Sequence, residues 1–191
     1  MEHKLLIPFI EDSLISNAQL LQEEKLSLFS LIYTLKPKNV LEIGSYQGGS
    51  AIIIYNALEA NKLGTLTLID KNPKIPPNVW QKIKKRTTIH IGDSFKLINS
   101  LFYNNNFDFV FIDGDHTFNG VIKDSFSAIK ILNKDGYILY HDCHHDEIEK
   151  AINHIIKKFK NINDCGIIST KINKSIPEQI WGGFRLLRKL D

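Results

Sequence analysis

The stretch Val40-Leu-Glu-Ile-Gly-Ser-Tyr-Gln-Gly-Gly-Ser50 decides the fold. An apolar strand pattern, Asn39–Gly44, ends in glycine, and a helical pattern from Gly48 to Ala60 follows it. Glycine lets the backbone take positive φ and lets a ligand approach closely. The helix start behind it offers unpaired amides. The turn is not the G-x-G-x-x-G dinucleotide fingerprint, because Glu42 stands where that pattern needs its first glycine. A carboxylate there repels a diphosphate and suits a cationic ligand. A tight strand-to-helix turn with no ligand is the plainer alternative.

Working outward, strands and helices alternate. Apolar residues recur at helical spacing between Asp12 and Leu35, as one or two helices closed by Pro37. Strand patterns follow at Thr65–Asp70, Thr87–Ile91, Phe107–Ile112 and Tyr137–Tyr140, with two more in the tail, Cys165–Ile172 and Gly183–Leu190. Helical patterns fall at Trp80–Lys85, Ser94–Phe102, Thr117–Leu132 and Glu147–Phe159. Pro73, Pro76 and Pro77 exclude regular helix just after the second strand. Asn104–Asn106 and Asp135-Gly136 read as turns. The expected architecture is α/β: a doubly wound, mostly parallel, seven-stranded Rossmann-like sheet with helices on both faces and the last strand antiparallel. It forms one domain over residues 1–191, residues 1–36 making a helical cover and 37–191 the core.

In such a sheet ligands sit beyond the carboxyl ends of the strands. The residues there are Glu42 to Gly48, Asp70, Asp93, Asp113 to His116, and His141 to His145. Each position brings an acid to the same rim. Singly, Asp70, Asp93 or Asp113 can be a helix cap. His144 and His145 read as solvated loop residues. Trp181-Gly-Gly-Phe184 reads as a glycine turn with an aromatic anchor.

As a set, these motifs resemble class I S-adenosylmethionine-dependent methyltransferases. Val40–Ser50 looks like their first motif, E/D-x-G-x-x-x-G, Thr65–Asp70 like the second and Ile91-Gly-Asp-Ser94 like the third. The resemblance implies that Glu42, Gly44, Ser45, Gly48, Asp70, Asp93, Ser94 and Asp113 bind S-adenosylmethionine. Asp70 would take the ribose hydroxyls and Asp93 or its neighbour the adenine amine. Ile112-Asp-Gly-Asp-His116 with the later His141-Asp142 is similar to a subgroup holding sugar O-methyltransferases and cephalosporin hydroxylase-like proteins. By that likeness Asp113, His141 and Asp142 are metal ligands, for Mg2+ or another divalent metal, and His116 is the catalytic base. Asp115 would orient His116 or assist the cofactor's amine. His141 and Cys143 depart from the oxygen ligands of the relatives, which puts magnesium in question. The implied activity is O-methylation of a small-molecule hydroxyl on a sugar or secondary metabolite. The alternatives are a metal-dependent hydroxylase-like enzyme and a non-catalytic cofactor-binding module.

Bulk composition is compatible with this. The chain has 191 residues, 43% hydrophobic and 24% charged, with a net charge of +3. That charge is too mild to indicate nucleic acid. The two cysteines, Cys143 and Cys165, make no disulfide framework. No apolar run suits a membrane span or a signal peptide. A cytoplasmic location is expected, with a small-molecule acceptor as partner and no nucleic acid or membrane. The first helix either covers the cofactor or packs on a second subunit in a homo-oligomer.

Overall fold

The computed structural model describes residues 3–101, 107–172 and 180–190. A seven-stranded sheet runs in the order β3-β2-β1-β4-β5-β7-β6. Its parallel part is β1 (Asn39–Ile43), β2 (Thr65–Asp70), β3 (Thr87–Ile91), β4 (Phe107–Ile112) and β5 (Leu132–Tyr140). β7 (Phe184–Lys189) is antiparallel to both β5 and β6 (Ile162–Ser169). The chain steps outward from β1 to β3, then returns to begin β4 beside β1. That reversal opens a crevice between the carboxyl ends of β1 and β4.

Alternation along the strands builds two cores. Leu41, Ile43, Val110, Ile112, Ile138 and Tyr140 face one side, under α5 (Ser94–Leu101), α6 (Phe118–Ile131) and α7 (Asp146–Lys158). Val40, Leu66, Leu68, Phe109, Phe111 and Leu139 face the other, under α2 (Gln22–Leu35), α3 (Gly49–Asn61) and α4 (Pro77–Ile83). α7 shows why a surface helix forms here: Ile148, Ala151, Ile152 and Ile155 make one buried stripe. Asp146 and Glu147 at its start and Lys157 and Lys158 at its end complement the helix dipole. α3 is different. Residues 49–58 are all buried, because the sheet covers one side and α1 (His3–Leu14) and α2 cover the other.

Several boundaries differ from the sequence reading. The helical region begins at His3, not Asp12, and breaks between Leu14 and Gln22. Pro77 does not exclude helix: it opens α4, where a missing N–H costs nothing. β5 starts at Leu132 and continues past the expected turn, with Asp135 at φ 62°. β6 lies at Ile162–Ser169 and not Cys165–Ile172. The turn expected at Asn104–Asn106, and Phe102 at the end of the fifth helix, lie outside the described residues. Among the described residues no helix is long and apolar enough to cross a membrane.

The connector between α1 and α2 lies directly on the glycine loop. A Cβ on Gly49 would stand 2.2 Å from the Ala18 nitrogen and 2.4 Å from its Cα. The Lys25 ammonium holds the connector down by donating to the carbonyls of Leu14 (3.1 Å) and Ser16 (2.6 Å). Gly49→Ala is therefore expected to push the connector off α3 at a cost of about 1–3 kcal/mol, read by urea denaturation.

Candidate functional site

A cavity of about 1200 Å3 opens at the carboxyl ends of the strands. The glycine loop forms one wall. Gly44 sits at φ +90°, and a Cβ there would fall 2.2 Å from the Asp113 carbonyl oxygen, so β1 and β4 end in backbone contact. Asp70 at the end of β2 knits the loop: its Oδ2 accepts the N–H groups of Ser45 (2.8 Å) and Tyr46 (2.7 Å). Its Oδ1 accepts Asn72 N–H at 2.7 Å. Asp70 lines the cavity, yet most of its acceptor capacity is committed to the loop.

Glu42 takes a position the sequence reading did not foresee. It is wholly buried, accepts a hydrogen bond from the Ser50 hydroxyl and does not line the cavity. It stands behind the loop, through Ser50, and not in the cavity wall. Burial pushes its carboxyl up to about 8; the Ser50 bond opposes this, and the charges of Asp113 and Asp70 add to it.

Asp93 and Ser94 form the wall beyond β3. Asp93 caps α5 by accepting Lys96 N–H at 3.1 Å and pairs with Lys71 at 3.3 Å. The Ser94 hydroxyl donates to Asp124. That carboxyl, reached from α6, is buried and raised to about 6 by desolvation. Nothing in the sequence around Asp124 marked it, because it is a polar residue on an otherwise ordinary helix.

The ends of β4 and β5 converge as expected from their neighbouring positions. Asp113 Oδ1 lies 2.9 Å from His141 Nδ1, and Asp142 Oδ2 lies 3.3 Å from the same nitrogen. His116 Nε2 is 3.2 Å from Asp142 Oδ2 and 4.0 Å from Asp113 Oδ1. Asp142 adopts φ 52°, and its Oδ1 accepts Gly182 N–H at 2.6 Å. Asp142, not Asp115, faces His116. Asp115 instead accepts Thr117 N–H at 2.9 Å and packs against Gly120. The hydrogen bond from Asp142 raises the His116 pKa above its ordinary value, against burial. Burial works against the charge on His141, but Asp113, Glu24 and Asp142 around it outweigh that and raise it well above the usual range.

The ligand atoms of Asp113, His141 and Asp142 all lie within 4.8 Å of one another. Donors bound at about 2.0–2.2 Å to one ion stand roughly 3 Å apart, and both carboxylates lie at about that distance from His141 Nδ1, at 2.9 and 3.3 Å. The donor set therefore fits a divalent ion with mixed oxygen and nitrogen coordination. Cys143 does not join it. Its buried sulfur lies against Gly183, apart from the three grouped ligand atoms, and burial pushes the thiol up to about 12.

Two further walls complete the cavity, one from the Trp181 turn and one from α2. Trp181 lines the cavity and meets His116 edge to face at 5.3 Å, and its ring lies 4.4 Å from that of His145. His144 and His145 are accordingly half-buried beside the Trp181–Gly183 turn and are not solvated loop residues. Glu24, from α2, is buried against the same turn. Its only sequence signal was an acid three residues into a helix, the position of a capping box. Acids dominate the cavity: Glu24, Asp70, Asp93, Asp113, Asp115, Asp124 and Asp142, against Lys71 and Lys123. That field repels a diphosphate and favours a cation.

A doubly wound sheet with a glycine loop and an acid at each strand end defines the class I S-adenosylmethionine-dependent methyltransferase architecture. A family model described as a methyltransferase domain matches residues 41–143, and the chain belongs to that family. The uncharacterized protein R132 of Acanthamoeba polyphaga mimivirus is 32% identical over 116 residues, covering 53% of this chain and 50% of that protein. The chain thus spans about half the length of that relative. The O-methyltransferase TomG of Streptomyces achromogenes, solved with S-adenosylmethionine, superposes with a TM-score of 0.70 at 14% identity, over 100% of this chain and 90% of that one. An O-methyltransferase from Bacillus cereus, solved with S-adenosylhomocysteine, gives 0.66 at 18% identity, over 98% and 90%. At those identities the likeness is one of fold.

Glu42 supplies a test of the loop's electrostatics. Its folded pKa of about 8 lies above the unfolded value of 4.5. Its neutral form is thus favoured by folding, and stability is lost as pH rises from the unfolded value through the folded one. Glu42→Gln, which keeps an acceptor for Ser50, is expected to flatten this fall. It should stabilise the protein by on the order of a few kcal/mol more at pH 8.5 than at pH 4.5. Denaturant titrations of both proteins at the two pH values check this.

Proposed function

We propose that this protein transfers the methyl group of S-adenosylmethionine to a hydroxyl of a small molecule, such as a sugar or secondary metabolite. One observation carries the reading: the His116–Asp142 pair and the Asp113, His141 and Asp142 cluster share a cavity with the glycine loop. Gly44, Ser45, Asp70, Asp93 and Ser94, which line the cavity, form the cofactor side of this proposal; Gly48, at φ 76°, turns the loop behind them, and Asp113 lies where the two sides meet. S-adenosylmethionine supplies a methyl group already activated on a sulfonium. The protein's work is to align the acceptor oxygen with that carbon and to remove its proton.

In this reading His116 takes the proton at Nδ1, the ring nitrogen that Asp142 leaves free. Asp142, fixed by Gly182 N–H, holds its Nε2 and stabilises the imidazolium that forms. Trp181 restricts the imidazole from the side. A divalent ion held by Asp113, His141 and Asp142 would lower the pKa of the acceptor hydroxyl. The imidazole nitrogen in that set favours zinc, iron or nickel over magnesium.

Calorimetric titration with S-adenosylmethionine comes first, followed by an acceptor screen with methyl-labelled cofactor. His116→Ala is expected to bind the cofactor as wild type does and to lose about 10²–10⁴-fold in kcat. Absence of cofactor binding by the wild type under every metal condition would overturn the proposal.

A further inference from the structure

Glu24 is 1% exposed, and its two carboxylate oxygens reach three different parts of the site. Oε1 accepts the Gly183 N–H at 2.6 Å. Oε2 accepts the Leu21 N–H at 2.8 Å and stands 3.5 Å from His141 Nε2. That nitrogen is buried and makes no formed hydrogen bond. The opposite ring nitrogen, Nδ1, is the one that faces Asp113 and Asp142. Phe184 packs edge to face on the imidazole at 5.5 Å.

Capping α2 needs one side-chain oxygen near the Leu21 N–H, and an exposed residue supplies that cheaply. Burying a whole carboxylate is costly unless it answers other donors. Here the other donors are the turn that carries Trp181 and the far side of His141. A histidine ligates through one nitrogen only when the proton sits on the other, and a carboxylate facing that second nitrogen fixes both the proton and the ring.

We infer that Glu24 is a positioning residue for the metal site. It directs His141 Nε2–H toward its own carboxylate, leaves Nδ1 free to ligate with Asp113 and Asp142, and holds Gly183 so that Trp181 stays against His116. The inference rests on the metal reading proposed above. It also gives the N-terminal helices a part in the chemistry, since they supply a buried charge to the centre as well as covering α3.

Cobalt(II) is the probe, titrated into the full chain and followed by calorimetry and by visible absorption. Wild type, Glu24→Gln and His141→Ala are compared, and melting temperature and S-adenosylmethionine affinity are recorded for each. Glu24→Gln keeps a carbonyl acceptor for Gly183 but loses the charge facing His141. It is expected to bind cobalt about 10–100-fold more weakly than wild type, with a shifted absorption band. Its cofactor affinity should be unchanged. If Glu24→Gln melts early, Glu24→Asp, which keeps the charge at shorter reach, takes its place with the same expectation. Wild-type cobalt affinity and an unaltered spectrum in a folded Glu24 variant would overturn the inference alone. A wild type that binds no cobalt would overturn the metal reading and this inference with it.

Discussion

The contact between the ends of β1 and β4 is the constraint on which the site depends. Gly44 leaves no room for a side chain because the Asp113 carbonyl occupies the space a Cβ would need. That approach puts the glycine loop against the strand end that carries Asp113 and leads to His116. Any bulk at Gly44 would separate the loop from the acid and histidine cluster. Asp70 secures the arrangement from the other side by binding successive loop amides. The cavity is therefore built first from backbone geometry, and its side-chain chemistry is hung on that frame.

Much of this was legible in the sequence, and the reasons are physical. The central strands β1 and β4 are buried on both faces, so they read as nearly continuous apolar runs, and each strand of the parallel sheet ends near an acid. Chain topology then places those acids together without any knowledge of side-chain contacts. What sequence could not reveal came from elements far apart in the chain. Glu24 sits more than a hundred residues from His141 and Gly183, and only packing brings it near them. Trp181 looked like a turn residue because its role depends on Gly182 and Gly183 being bound by Asp142 and Glu24. Glu42 was misplaced for a related reason. The motif locates its backbone on the rim, but the side chain of a strand residue goes to one face of the sheet, and here that face is closed over by α3 and Ser50.

Helix starts showed the same limit. Proline at position 77 has opposite meanings inside a helix and at its first residue, and local sequence does not say which applies. The N-terminal region broke between Leu14 and Gln22 because the connector must lie flat on Gly49, a contact invisible to periodicity.

The buried charges raise a question of balance. Asp113, Asp142 and Glu24 surround His141, and carboxylates taken out of water call for a positive partner. In the protein alone the carboxylates favour protons on both imidazoles, raising their pKa above the ordinary value. A divalent ion would do the same work and release those protons. His116 and His141 then belong to one electrostatic unit, held in register by Asp142 between them.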